Sequence, residues 1–171
     1  MEWMIMPLRK YVQFSGRSQR MEFWMWVLFI LIVSTILRVI EQLLGIGPVL
    51  GSYQNSSIQA GGNGPISGLF GLLIFVPGLA VTVRRLHDIN RSGFWLLVPF
   101  GTLVIGVGLM ISATMSGALV SGFVSLFVAI GAYLLSVVAL IVFMCLDGTR
   151  GPNRFGSDPK NPDAALKSVF S

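Results

Sequence analysis

Three consecutive stretches decide the fold: ISGLFGLLIFVPGLAVTV (66–83), RRLHDINRS (84–92) and GFWLLVPFGTLVIGVGLMIS (93–112). The first and third carry no charge and are each about as long as a helix needs to cross ~30 Å of hydrocarbon. The first ends abruptly at Arg84 and Arg85, and the connection adds Asp88, Asn90, Arg91, Ser92 and Gly93 before the apolar run resumes. Two spans joined by a short basic turn are expected here, with the turn on the cytoplasmic side.

Outward from this hairpin, the pattern repeats. A span is expected at about 23–44, preceded by a tail with Arg9, Lys10, Arg17 and Arg20, and another at 119–146, followed by Arg150, Arg154, Lys160 and Lys167. The first is too long for a cleaved signal and lacks a small-residue cleavage site, so it reads as a retained signal anchor. Between the first two spans, residues 45–65 are rich in Gly, Ser, Asn and Gln and free of Lys and Arg, as an outward-facing flexible loop would be. The charge-free connection 113–118 joins the last two spans, and the apolar run from Ala113 to Leu146 exceeds what one span requires, an excess that tilt would absorb. Eleven of the twelve Lys and Arg residues fall in the N-terminal tail, the middle turn and the C-terminal tail, leaving only Arg38 elsewhere. The expected architecture is an all-α bundle of four transmembrane helices within one membrane domain, 1–171, with both termini cytoplasmic.

Composition agrees with a bilayer environment. Of the 171 residues, 54% are hydrophobic and 11% charged, against roughly 25% charged in soluble domains. The net charge of +5 is spread over membrane boundaries rather than gathered on one soluble face, which favours anionic lipid headgroups over nucleic acid as the counter-charge. The single cysteine, Cys145, excludes an internal disulfide and sits in an apolar context where an inert thiol is expected. Ahead of the first span, Trp3, Ile5, Leu8, Tyr11, Val12 and Phe14 mix with Arg9 and Lys10 as in a segment lying among headgroups, with Pro7 expected to interrupt any regular helix. Trp24, Trp26, Phe94 and Trp95 read as interfacial anchors.

Three polar clusters mark the cytoplasmic boundary. They are Phe14-Ser15-Gly16-Arg17-Ser18-Gln19-Arg20-Met21-Glu22-Phe23-Trp24, then Arg84-Arg85-Leu86-His87-Asp88 with Arg91-Ser92-Gly93-Phe94-Trp95, and finally residues 147–159, DGTRGPNRFGSDP. In order and spacing these resemble the motifs of the DUF805 family of small bacterial inner-membrane proteins, over about 11–159. The resemblance implies an inner-membrane location and brings no activity, substrate, cofactor or catalytic residue with it.

Within the clusters, Arg84 and Asp88 stand four apart and are positioned to pair on one helix face, with Arg85 and His87 pointing elsewhere. Asp147 and Asp158 are available to Arg17, Arg20, Arg84 or Arg150, and Gly148, Gly151 and Gly156 allow the tail to turn back across the bundle. Together with Glu22, Arg91, Asn153 and Arg154, these residues define either a salt-bridged structural lid or an anion site that holds a phospholipid phosphate or a membrane partner. A small oligomeric transporter is the alternative, suggested by Pro77-Gly78 and by Pro99 with Gly101, Gly106 and Gly108, since broken helices line substrate sites. The only charges inside a span, Arg38 and Glu41, lie near its outer end at a spacing that permits pairing. A lipid-acting enzyme has only His87 and Asp88 as adjacent acid/base candidates, and no zinc-binding, serine-elbow or phosphate-loop motif is present. Gly64, Gly68, Gly117, Ser121 and Ser125 are small enough for close helix approach, within one chain or between copies.

Overall fold

The computed structural model describes residues 2–46 and 64–161. The glycine-rich connection between the first two spans, with its Asn55-Ser56-Ser57 glycosylation triplet, lies almost entirely outside them. The described residues form five α-helices, α1 (Glu2–Arg9), α2 (Arg20–Leu43), α3 (Pro65–Asp88), α4 (Leu97–Met115) and α5 (Leu119–Cys145), with a 3₁₀ turn at Gly93–Leu96 leading into α4. Four stretches are helical, long and apolar enough to cross a membrane: Arg20–Leu43, Pro65–Asp88, Gly93–Met115 and Val120–Cys145. The chain gathers into two compact units, residues 1–14 with 21–81, and residues 15–20 with 82–171.

Burial is inverted relative to a water-soluble protein. Leu72, Phe127 and Leu135 are more than two-thirds exposed, whereas Arg17, Ser18, Glu22, Glu41, Arg84, Arg85 and Asp88 are buried. Lipid tails solvate the leucines as well as a core would, so the polar groups are what must find protein partners.

Helices α2, α3 and α4 end alike. The N–H of Ile46 reaches the carbonyl of Glu41, that of Arg91 the carbonyl of Leu86, and that of Ala118 the carbonyl of Ala113, at 2.9 Å each. The residue before each donor is left-handed, Gly45 at φ 67°, Asn90 at 59° and Gly117 at 74°. This is the Schellman geometry, which satisfies the last carbonyls and favours Gly or Asn at the turning position.

One boundary agrees with the sequence expectation and one differs from it. Helix α3 continues past the end of the apolar run at Val83 through Arg84 and Arg85 to Asp88, as pairing of these residues on one helix face requires, and the charges on this last turn are enclosed by protein rather than released to water. At the N-terminus Pro7 lies inside α1 instead of breaking it. In so short a helix the first four N–H groups have no intrahelical partner in any case, so Pro7 removes one bond and the next turn still closes, from Lys10 N–H to the Met6 carbonyl at 3.1 Å.

In the first unit, two polar contacts join α3 to distant segments. The Glu41 carboxylate accepts the N–H of Ile66 at 2.6 Å and, from Ser67, the N–H at 2.8 Å and the hydroxyl at 2.7 Å. It thereby serves the start of α3 as an N-cap would, beside a proline at the first helical position. A Cβ on Gly64 would stand 2.4 Å from the Glu41 carboxyl carbon, so a larger residue there would have to displace this carboxylate from the start of α3. The second contact answers Pro77. Lacking an N–H, Pro77 leaves the Leu73 carbonyl without its helical donor, and the Tyr11 hydroxyl donates to that carbonyl at 2.5 Å. Tyr11→Phe is expected to destabilise the fold by about 1 kcal/mol. In a Pro77→Ala background the same change should be nearly neutral, because the restored amide reclaims the carbonyl; denaturant titration of the four variants in detergent measures the coupling, and equal Tyr11→Phe costs in both backgrounds would refute it.

In the second unit, α4 packs along α5. Gly106 permits a close approach, since a Cβ there would lie 1.9 Å from that of Ala129. The hydroxyls of Ser112, Thr114, Ser121, Ser125 and Ser136 each donate to the carbonyl three residues back, which leaves the helix surfaces effectively apolar. Pro99 is the third residue of α4, where a missing N–H costs little.

Candidate functional site

The site is built on Asp88, the last residue of α3. Its Oδ1 accepts the Nε of Arg17 at 2.9 Å, and its Oδ2 accepts an Nη of Arg85 one helical turn back. All three side chains are at most 4% exposed. The expected i,i+4 pairing of Arg84 with Asp88, with Arg85 directed away, is therefore corrected: Arg85, at i,i+3, is the helical partner of this carboxylate. Arg84 is buried, and its carbonyl accepts the Ser18 N–H at 3.1 Å.

One carboxylate between two guanidiniums leaves an excess of buried positive charge, and backbone carbonyls offset it. Arg17 donates to the carbonyls of Gly151 at 2.6 Å and Thr149 at 2.5 Å. Arg85 donates to those of Met144 at 3.3 Å and Leu146, and Arg20 to that of Cys145 at 3.1 Å. These last three carbonyls are the open C-terminal end of α5, where the helix dipole is negative and cations are favoured.

The segment after α5 is drawn over this node. The Thr149 N–H donates to the Asp88 carbonyl at 2.9 Å, and the Asn153 side-chain amide donates to the His87 carbonyl at 2.9 Å and to the Thr149 hydroxyl at 3.0 Å. Asn153 and Gly156 close a tight turn by exchanging two backbone bonds. Phe155 stacks on the His87 ring with centroids 3.9 Å apart and planes 4° from parallel, while His87 Nδ1 lies 3.3 Å from the Gly16 carbonyl. Gly148 has no room for a side chain, since its Cβ would stand 2.1 Å from Asp88 Oδ2. Asp158 accepts the N–H groups of Lys160 at 2.9 Å and Gly151 at 3.0 Å. The Lys160 bond above all, with the Gly151 bond and the charges of Arg17 and Lys160, holds its carboxyl below the usual range against partial desolvation.

The remaining candidates have partners or positions of their own. Asp147 takes Arg20 at 2.5 Å and Lys160 at 3.4 Å on an exposed edge. Arg91 places its guanidinium 5.7 Å from the centre of Trp95 and 5.8 Å from that of Phe143. Arg154 donates to the Asn90 carbonyl at 3.1 Å and lies over Phe155 at 4.7 Å, and Arg150 is exposed. Glu22 is buried on the first turn of α2. His87 and Asp88 do not form an acid/base pair: the carboxylate is committed to two guanidiniums and the imidazole is stacked away under Phe155. Thr149 and Phe155 lie in the boundary cluster 147–159, but their roles, and those of the α5 carbonyls, were not assigned from the sequence. The nearest signal for them was the glycine-punctuated run after Asp147.

Four membrane-crossing helices and one polar end tied together from three separated arginine-bearing segments define a multi-pass membrane protein. The chain belongs to the DUF805 family, described as a protein of unknown function, whose family model matches residues 11–157. It is 34% identical over 164 residues to inner membrane protein YhaH of Escherichia coli K12, covering 94% of this chain and 98% of that relative. It is 35% identical over 161 residues to inner membrane protein YhaI of the same strain, covering 94% and 97%. This is accordingly a multi-pass inner-membrane protein. No solved structure matches it.

Proposed function

We propose that both termini and the α3–α4 turn face the cytoplasm and that the polar end binds anionic phospholipid headgroups through Arg91 and Arg154. The concentration of eleven of twelve basic residues in these three segments supports the orientation. The observation that carries the binding role is the placement of Arg91. Its exposed guanidinium rests against Trp95 and Phe143 where α4 begins, next to the exposed Phe94. An arginine backed by aromatic faces keeps its N–H edge available for a bidentate phosphate contact, at the level where indole rings favour the headgroups. Arg154 joins it through the Asn90 carbonyl. The buried arginines 17 and 85 are committed to Asp88 and to backbone carbonyls, so the lipid role falls to the exposed ones.

Pro77 and Pro99, which motivated the transport alternative, each have a structural explanation in the fold, and transport is not adopted. Two measurements test the proposal. A fluorescent protein fused to the C-terminus should fluoresce, and alkaline phosphatase fused there should be inactive; the reverse pattern overturns the orientation. In native mass spectrometry, phosphatidylglycerol retained by the wild type should fall about fivefold or more in Arg91→Gln/Arg154→Gln, for two lost charge-assisted contacts. Unchanged retention in the folded variant overturns the binding role.

A further inference from the structure

Beside the buried node opens a crevice of about 400 Å³ whose walls include Arg17, Asp88, Asp147, Arg150, Asp158 and Lys160. All belong to the second unit. Much of the surrounding backbone is already engaged: the Thr149 and Gly151 carbonyls by Arg17, the Cys145 carbonyl by Arg20, and the Gly151 and Lys160 N–H groups by Asp158. The crevice therefore presents mainly ionic side-chain ends, and of both signs.

Within it, Arg17 is held by Asp88 at 2.9 Å, a carboxylate it shares with Arg85, and by the carbonyls of Thr149 and Gly151, so neither member of this pair is open to a ligand. The contacts of Arg20 and Lys160 with Asp147 are made at its Oδ1, and this side chain is 68% exposed, so the carboxylate retains accepting capacity. Each Asp158 oxygen accepts one N–H and retains accepting capacity. Arg150 has no partner among the described residues, and the Lys160 ammonium, whose charge also acts on Asp158, makes one long hydrogen bond, 3.4 Å, to Asp147. A simple anion in this space would face Asp147 and Asp158, and a simple cation would face Arg150 and Lys160; like charges at such range disfavour both. A ligand carrying the two signs side by side meets neither penalty. The crevice also begins at the end of α5, directly beyond the exposed Cys145 and Leu146, where a bilayer places its phosphates.

We propose that this crevice binds a zwitterion in which a phosphodiester is joined by a short link to a primary ammonium, the chemistry of the phosphatidylethanolamine headgroup. Arg150 and Lys160 take the phosphate, and Asp147 with Asp158 takes the ammonium. The site is separate from Arg91 and Arg154 and does not depend on the role proposed for them.

The test is native mass spectrometry of the full chain in detergent with an equimolar mixture of phosphatidylethanolamine, phosphatidylcholine and phosphatidylglycerol of matched acyl chains. Phosphatidylcholine has the same phosphate but a quaternary ammonium with no N–H to donate. The wild type should retain phosphatidylethanolamine over phosphatidylcholine by roughly fivefold, as expected for charge-assisted hydrogen bonds at a partly exposed site. Asp147→Asn should remove that preference while leaving phosphatidylglycerol retention unchanged. Arg150→Gln should reduce retention of both nitrogen-bearing lipids. Both side chains are exposed, so both variants should unfold with the wild type, and Lys160→Gln replaces either one that does not. Equal retention of the two lipids by the wild type, or a preference that survives Asp147→Asn, overturns the proposal. Glycerophosphoethanolamine added in solution separates the sources: displacement of the retained lipid assigns the site to the free phosphodiester, and retention against it assigns the site to the membrane lipid.

Discussion

Asp88→Ala is expected to lower the unfolding stability by about 3–5 kcal/mol, the range found when one partner of a buried ion pair is removed. The reason lies in what remains. Arg17 and Arg85, each no more than 1% exposed, would be left facing each other across the vacated site with their charges uncompensated. The carbonyls of Met144, Leu146, Thr149 and Gly151 soften the repulsion but carry no full charge. Asp88→Asn keeps the shape and one acceptor, so it should fall between wild type and Asp88→Ala. Asp88→Glu should also be poorly tolerated, because one more methylene moves the carboxylate off the positions at which it accepts Arg17 and Arg85. Circular dichroism during titration of a mixed micelle with a denaturing detergent gives the ordering. An Asp88→Ala midpoint equal to wild type would show that the node contributes no net stability.

Gly106→Ala should destabilise the α4–α5 pair by about 1–3 kcal/mol, as overpacking does in a tight interior. The new methyl would stand 1.9 Å from that of Ala129, where carbon atoms prefer roughly 3.5–4 Å. Neither carbon is the end of a flexible chain, so relief requires the helices to separate along their length. The second change Ala129→Gly removes the opposing methyl and should restore most of the loss. Strict additivity in the double-mutant cycle would mean that the two positions do not meet.

The membrane-spanning helices were legible because hydropathy and the placement of lysine and arginine are properties of each segment by itself. The burial of the end of α3 was not. Arg84 and Arg85 mark the end of the apolar run, and only the segment after α5 reveals that the turn carrying them is enclosed. For the same reason the sequence shows that Arg85 and Arg84 are both within reach of Asp88 but not which one faces it: that choice follows from where the α5 carbonyls lie. Glu41 illustrates the limit more sharply. Its spacing suggests Arg38 as a neighbour, yet its partners include two backbone N–H groups 25 and 26 positions along the chain, and backbone donors leave no trace in composition. In the candidate site, the arginines were legible as a set. Their division into buried ones committed to the fold and exposed ones facing outward is a tertiary fact.

The Asp88 node also imposes an order on biosynthesis. Arg17 leaves the ribosome first, Asp88 follows after two spans, and the carbonyls that complete the cluster are translated only after the fourth. Until then Arg17 and Arg85 can share Asp88 but lack the carbonyls of Met144, Leu146, Thr149 and Gly151 that they also engage. The node is therefore completed only by residues 144–151, after all four spans have been made.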